Sequence, residues 1–316
     1  MKAIILEQAG EADNLKTAEI AVPEAEFNEV LVKVKAVSIN PVDIKTRSGK
    51  ALYASLKDHS PLILGWDISG EVVSAGKDVA KFEIGDQVFG MVNFPGHAKA
   101  YAEFVAAPAN QLALKPVTVT HQQAAASSLA ALTAFQVLVH QAKVQAGEKV
   151  LIHAAAGGVG HFAVQIAKTL GAYVIGTSSA ANKDFVLDLG ADEALDYTNI
   201  RFEEALSDID FVFDAVGGDI SARSLKVLKP GGRLIAIAGG ITEDVKNEAE
   251  GKGITAFPYL VQSNGADMDE LALLLDSGKM KPFVSKEFAF EDIAEAHKQI
   301  ETGKTRGKLV ITVEQE

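Results

Sequence analysis

The stretch HAAAGGVGHFAVQIAK, residues 153–168, decides how the chain is read. It follows KVLIHA, a continuous apolar run of the kind found in a strand buried on both faces. It leads into a segment where Val159, Phe162, Ala163, Ile166, Ala167 and Leu170 share one helical stripe, with Gly171 as the stop. At the junction, Ala155-x-Gly157-x-x-Gly160 has the spacing of a dinucleotide loop, with alanine in first place. Gly157 would let the backbone approach a pyrophosphate, and Gly160 would let the helix pack close to the strand. The helix N-terminus offers free N–H groups and the positive end of its dipole to the phosphates. The first position needs a tight turn but not a positive φ, so Ala155 serves if its backbone stays in an allowed region. Ala155, Gly157, Gly158, Val159 and Gly160 are the first cofactor-binding candidates.

Downstream the same rhythm repeats. AYVIGT reads as a strand and NKDFVLDLG as a helix stopped by Gly190. DEALDY, DFVFDAVGG and GGRLIAIAGG are further strands with helices between them. This alternation predicts a doubly wound parallel sheet, a Rossmann dinucleotide-binding domain over residues 121–263. Upstream, EVLVKVKAVSIN alternates apolar and polar residues over 30–37. GEVVSAGKDVAKFEIGDQVFG reads as strand, turn, strand, with Gly76 and Gly85-Asp86 at the turns. Residues 1–120 are therefore expected to form a small β-barrel. HQQAAASSLAALTAFQVLVH predicts one helix. Beyond about Asn264 the rhythm ends: MDELALLLDSG and FEDIAEAHKQIETG are helical and KLVITVE is a final strand, so residues 264–316 are expected to complete the first domain.

Composition narrows the function. The chain is 48% hydrophobic and 23% charged, as ordinary globular proteins are, with a formal net charge of −12. Acidic chains are poor nucleic-acid partners, because phosphate contacts need clustered Lys and Arg. The absence of cysteine excludes disulfides, thiolate nucleophiles and Cys-ligated zinc. No apolar run reaches membrane-spanning length, so no membrane partner is expected. MKAIILEQAGEADN turns polar too early for a secretory core, which points to a cytoplasmic location.

Residues 147–168, GEKVLIHAAAGGVGHFAVQIAK, resemble the signature of the quinone oxidoreductase (zeta-crystallin-like) branch of the medium-chain dehydrogenase/reductases. Gly147, Glu148, Leu151, Ala155, Ala156, Gly157, Gly158, Gly160, Gln165 and Lys168 fall where that signature expects them. SINPVDIKTRSG and GWDISGEVVSAGKDVAKFEIGDQVFG resemble the GroES-like barrel of the same superfamily, LAALTAF its crossing helix and TRGKLVI its C-terminal strand. The resemblance spans nearly the whole chain. It implies an α/β protein with a GroES-like β-barrel catalytic domain and a Rossmann cofactor domain. It also implies a ligand cleft between barrel and sheet, and a homodimer built through an edge strand. ITAFPYLV, residues 254–261, is the apolar candidate for that edge, where Pro258 would be tolerated.

The choice of dinucleotide rests on the end of the second strand. NAD-type sites place an acid about 20 residues past the loop, on the ribose 2′-OH. Here that position falls on Thr177, Ser178 or Ser179, all neutral, and Lys183 follows. Hydroxyls and a lysine would receive a 2′-phosphate that an acid would repel, which favours NADPH. By resemblance Tyr197 lines the same pocket. The resemblance also sets Thr133, Val216, Gly217, Gly218, Ala238 and Gly239 beside the cofactor and brings Lys308 toward its phosphates. It puts Asn40 and Asp43, in NPVD, at the nicotinamide. Read from the residues alone, Asn40 is equally a turn residue before Pro41, Asp43 and Asp214 are caps or turns, and His161 opens its helix.

Zinc-dependent members of the superfamily have Cys where this chain has Asn40, and His-Glu where it has Trp66-Asp67. They also carry a four-cysteine lobe. The seven histidines show neither HExxH nor a close pair, so no metal is expected. Tyr53 and Lys57 fit the Tyr-x-x-x-Lys pair of short-chain dehydrogenases but precede the glycine loop, whereas in that family the tyrosine follows it. Tyr53 is carried as a catalytic candidate with Asn40, against a surface or rim role. TGKT, residues 302–305, lacks the first glycine of a Walker loop. The expectation is a zinc-independent, NADPH-dependent reductase of small quinones or α,β-unsaturated carbonyls. The alternatives are an enoyl-thioester reductase of the same fold and a non-catalytic, NADPH-binding redox sensor.

Overall fold

The computed structural model describes residues 1–313, so Glu314, at the end of the expected final strand, lies outside the described residues. The chain forms two compact units, Met1–Leu132 with Gln262–Gly278 and Pro282–Glu316, and Thr133–Val261 with Lys279–Lys281.

The first unit opens with an antiparallel ladder of β1 (Lys2–Leu6) and β2 (Leu15–Glu19). It continues through β3 (Glu29–Ile39), β4 (Asp67–Ala75), β5 (Gln87–Met91), β6 (Phe104–Pro108) and β7 (Ala113–Leu114). β3 behaves as its alternation requires: Val30, Val32, Val34 and Ala36 are fully buried, and the residues between them less so. It pairs antiparallel with both β4 and β6.

The second unit holds β8 (Lys149–Ile152), β9 (Tyr173–Ser178), β10 (Glu193–Asp196), β11 (Ile209–Asp214), β12 (Leu228–Ala236) and β13 (Thr255–Pro258). All pair in parallel, in the order β10-β9-β8-β11-β12-β13. The order reverses at β8, and in such sheets ligands bind beyond the strand ends at that reversal. Signature residues outside the loop brace this unit. Gly147, at φ +83°, donates its N–H to the Gly171 carbonyl at 2.9 Å. Glu148 takes the Arg233 guanidinium on both oxygens at 2.7 Å. Lys168 reaches Asp192 at 2.7 Å.

The chain then returns to the first unit with β14 (Val284–Ala289) and β15 (Lys308–Thr312), β15 lying antiparallel to β3. The hydrogen-bonded path runs from β14 to β7 and, among the described residues, is not closed by a further ladder. Among the same residues no helix is long and apolar enough to cross a membrane.

The structure differs from the sequence reading in four places. The expected helix over 121–140 is broken into His121–Ala126, Leu129–Phe135 and a wider turn, Gln136–Gln141. Ser127 and Ser128 turn their hydroxyls back to Gln123 and Ala124 carbonyls, and Asp67 accepts the Leu129 N–H at 2.7 Å. Second, the first unit reaches Leu132 instead of residue 120, because Ala125 and Ala126 pack with Ala36 and Val310. Third, residues 279–281 join the second unit, where the Gln165 amide makes a two-point contact with the Lys281 backbone at 2.8 and 3.1 Å. Fourth, the helix Gly160–Thr169 is buried on nearly every side from Gly160 to Ala167, not along one stripe.

Candidate functional site

The glycine loop sits where β8 ends and the Gly160–Thr169 helix begins. Ala155 is fully buried, and its N–H donates to the Thr177 carbonyl at 2.9 Å. The left-handed residue is its neighbour, Ala154, at φ +53°. The tight turn thus falls one residue earlier than the glycine spacing suggests, which is why Ala155 can replace glycine. Gly160 has no such freedom: a Cβ there would stand 2.1 Å from the Ala154 carbonyl oxygen. At Gly157 the nearest atom to an added Cβ is the same oxygen at 3.2 Å, so the outer side of the loop is left open. That open face, with the helix N-terminus behind it, fits a pyrophosphate.

Around the loop, the structure brings together several of the expected residues. Ser178 and Tyr197 end adjacent parallel strands, with the Tyr197 N–H on the Ser178 carbonyl at 3.1 Å. Tyr197 is exposed, as is Lys183 in the first turn of the helix Lys183–Asp188. Thr177 turns inward instead, its hydroxyl 3.2 Å from His153. Sequence reasoning missed Asp196, an acid paired in register with Ser178. Its oxygens are taken by the Thr198 N–H and hydroxyl and by the Asn199 amide, which hold the carboxyl below its usual range. Its position at the end of a third strand gave no motif to find it by.

Beyond β11, Asp214 accepts the N–H groups of Val216 and Gly217 at 2.9 and 2.8 Å and the Ser221 hydroxyl at 2.6 Å. Asp214 is therefore the turn holder that the residues suggested. Gly217, at φ +79°, brings this turn against the end of the β12 segment: an added Cβ would meet the Ala238 carbonyl oxygen at 2.5 Å. Val216, Gly217, Ala238 and Gly239 thus form one neighbourhood. Thr133 is buried in the helix Leu129–Phe135.

In the first unit, Asn40 caps the helix Pro41–Arg47, and Asp43 accepts the Asn40 N–H at 2.6 Å. The Asn40 side chain is held at both ends. Lys308 donates to its Oδ1 at 2.5 Å, and its Nδ2 donates to Asp67 at 2.8 Å. Ser38 adds a hydrogen bond to the same carboxylate at 2.5 Å. Lys308, Asn40, Asp43, Asp67 and Ser38 are all at most 3% exposed. Burial pushes Asp67 and Asp43 up, Asp43 to about 8 with the Asp67 charge adding to it, while Lys308 opposes both; burial pushes Lys308 down against the two aspartate charges. The lysine expected near cofactor phosphates is therefore committed elsewhere: its ammonium lies on the Ile39 carbonyl and Asn40, 4.0 Å from Asp67. The reason is electrostatic, since a buried carboxylate needs a counter-charge. Asn40 keeps one N–H beyond these bonds.

Tyr53, in the short helix Tyr53–Leu56, is half-buried and shares with Lys57 the wall of a pocket of about 250 Å³ that also includes Leu6, His59 and Pro61. Among the described residues no hydrogen bond joins it to Asn40.

Residues 26–117 match the family of alcohol dehydrogenase GroES-like domains, and residues 189–311 the family described as zinc-binding dehydrogenase. The chain is 35% identical to the chloroplastic NADPH-dependent alkenal/one oxidoreductase of Arabidopsis thaliana and 34% identical to the 2-methylene-furan-3-one reductase of Solanum lycopersicum. Each alignment covers 98% of this chain and 79% of the relative. The solved quinone oxidoreductase of Coxiella burnetii is 40% identical, covers 99% of both chains and superposes with a TM-score of 0.94. The residues here do not fit the zinc that the second family description mentions. An ammonium is already seated on Asn40, Trp66 spends its N–H on the Gly96 carbonyl, and no group of three His, Cys, Asp or Glu among the described residues could hold a metal. With a GroES-like unit, a Rossmann sheet and full-length similarity to these reductases, the chain belongs to the quinone oxidoreductase branch of the medium-chain dehydrogenase/reductase superfamily.

Proposed function

We propose that the chain is a zinc-independent, NADPH-dependent oxidoreductase that delivers hydride to quinones or α,β-unsaturated carbonyls. The observation that carries this is the open loop at Gly157 on a reversing parallel sheet, in a chain similar along its length to reductases of that class. When bound, NADPH supplies the hydride. The residues 154–160 and the helix behind them hold the pyrophosphate. Ser178, Ser179, Tyr197 and Lys183 receive the 2′-phosphate, while Val216, Gly217, Ala238, Gly239 and Thr133 border the rest. Asn40 offers its remaining N–H to the acceptor oxygen as negative charge develops there. The Lys308 ammonium on the amide carbonyl makes that N–H a stronger donor, because hydrogen bonds in series polarise one another. The residues standing at the zinc-ligand positions are committed to other partners, with Asn40 on Lys308 and Trp66 on the Gly96 carbonyl, so stabilising an alkoxide on a metal is not part of this reading and simple alcohols are expected to be poor substrates.

NADPH oxidation measured against a quinone, an enone, an enoyl thioester and, in reverse, a secondary alcohol tests the reading. Turnover is expected with the quinone or enone; faster reduction of NADP⁺ by the alcohol would overturn it, and preference for the thioester would favour the enoyl-reductase alternative. NADPH should bind more tightly than NADH, with Lys183→Ala removing about tenfold of the difference, as for one charge-assisted hydrogen bond. Equal affinities, unchanged by the substitution, would count against the 2′-phosphate assignment.

The homodimer is part of the same proposal. β13 is the edge of its sheet, paired only with β12 among the described residues, and it carries the expected Pro258. Light scattering at micromolar concentration should report twice the monomer mass; monomer alone would rule this assembly out.

A further inference from the structure

His153 is a buried histidine that the proposed chemistry does not use, and its hydrogen bonds can be followed proton by proton. The Ser224 hydroxyl donates to the Ile220 carbonyl at 2.7 Å, so toward His153 Nε2, 3.0 Å away, its oxygen can only accept. Nε2 therefore carries the proton and Nδ1 is bare. Nδ1 lies 3.2 Å from the Thr177 hydroxyl, which must donate to it. That leaves the Thr177 oxygen free to accept the Ala154 N–H, at 3.3 Å. The result is a one-way chain from Ala154 through Thr177, His153 and Ser224 to Ile220. The imidazole sits edge-on to Phe202 with ring centroids 4.6 Å apart, and it is 2% exposed. Burial pushes it down to about 4, with Arg223 acting in the same direction and Asp214 and Glu203 against it. It is neutral at ordinary pH, as the chain requires.

Ala154 needs holding. It is an alanine at φ +53°, a left-handed conformation that crowds the Cβ of an L-residue, and its carbonyl receives the Gly157 N–H at 2.9 Å. Thr177 grips the loop twice, by its carbonyl on the Ala155 N–H and its hydroxyl on the Ala154 N–H. We propose that His153 is a positioning residue for the phosphate loop: as the Nε2–H tautomer it fixes the Thr177 hydroxyl so that Ala154 stays left-handed and the loop keeps the shape a pyrophosphate needs. This rests on the reading of residues 154–160 as a dinucleotide cradle. Because the pyrophosphate is common to both cofactors, the chain governs affinity for NADH and NADPH alike, in contrast to Ser178 and Lys183.

Thr177→Val removes one hydroxyl at constant shape and leaves the Ala154 N–H without its partner. It is expected to raise the dissociation constants of NADPH and NADH together, by about tenfold, in fluorescence titrations. Thr177→Ser, which keeps the hydroxyl, should bind like the parent, and His153→Phe should reproduce the loss. A purely structural role predicts a lowered melting temperature with both dissociation constants within twofold of the parent, and that result overturns the inference. Gly160→Ala serves as the separate control for the cradle. If it loses cofactor while Thr177→Val does not, only the His153 assignment falls. If neither loses cofactor, the cradle reading falls with it.

Discussion

Replacing Lys308 by methionine is expected to destabilise the first unit by about 3–5 kcal/mol, as for a buried ion pair deprived of one member. The methionine fills much the same volume, so packing is not what changes. Asp67 is fully buried, and after the loss of Lys308 it keeps three neutral donors, Ser38, the Asn40 amide and the Leu129 N–H, but no counter-charge. Asn40 loses the ammonium that holds its carbonyl, so its amide can rotate away from Asp67. Urea denaturation of the two single variants and of Lys308→Met with Asp67→Asn measures this. The double variant should recover part of the loss, because the stranded charge is gone. A single-variant cost below about 1 kcal/mol, in the range of exposed pairs, would refute the account.

Gly160→Ala is expected to weaken NADPH binding by roughly 10- to 100-fold, the equivalent of the 1–3 kcal/mol that overpacking costs in a tight interior. The new Cβ would stand 2.1 Å from the Ala154 carbonyl oxygen and 2.8 Å from Ala155 Cα. Both are backbone atoms, so no side chain can rotate aside. The loop itself has to shift, and with it the N–H groups offered to the phosphates. Gly157→Ala, by contrast, meets protein no closer than 3.2 Å and should leave the empty protein nearly as stable as before while still obstructing the ligand. Thermal melts with and without NADPH separate the two effects. Unchanged NADPH affinity in Gly160→Ala would refute the close-packing account of that glycine.

Much of the fold was legible because its signals are local. The β3 alternation, the apolar β8 run and the glycine spacing each depend on residues within one element or one turn, and each appears where the sequence puts it. What escaped was non-local. Nothing near Ser127 reveals that Asp67, 62 positions from Leu129, would cap a new helix there. Lys308 reads, by resemblance, as a lysine near the cofactor phosphates until β15 sets it beside β3 and a buried aspartate gives its charge another use. Ala154 carries no mark of its positive φ, since alanine is not a residue that announces a left-handed turn. At the site, the glycines and the hydroxyl-rich end of β9 could be named in advance, whereas the partners that fix them could not.

The pairing of β15 with β3 also dictates an order of events during synthesis. Lys308 bonds to the Ile39 carbonyl across 269 positions of chain, so the Ala36–Ile39 end of β3, beyond the stretch that β6 covers, stays bare on that edge until β15 has emerged. The parallel sheet needs only residues up to Pro258 for its strands and can assemble first. Closing so long a loop is slow, and an open, mostly apolar strand end invites pairing with other nascent chains. Production of this protein should therefore be most vulnerable to aggregation after the cofactor-binding half has folded and before the last strand has left the ribosome. A ribosome stalled near residue 300, with β13 emerged and β15 not yet made, would expose that vulnerable species.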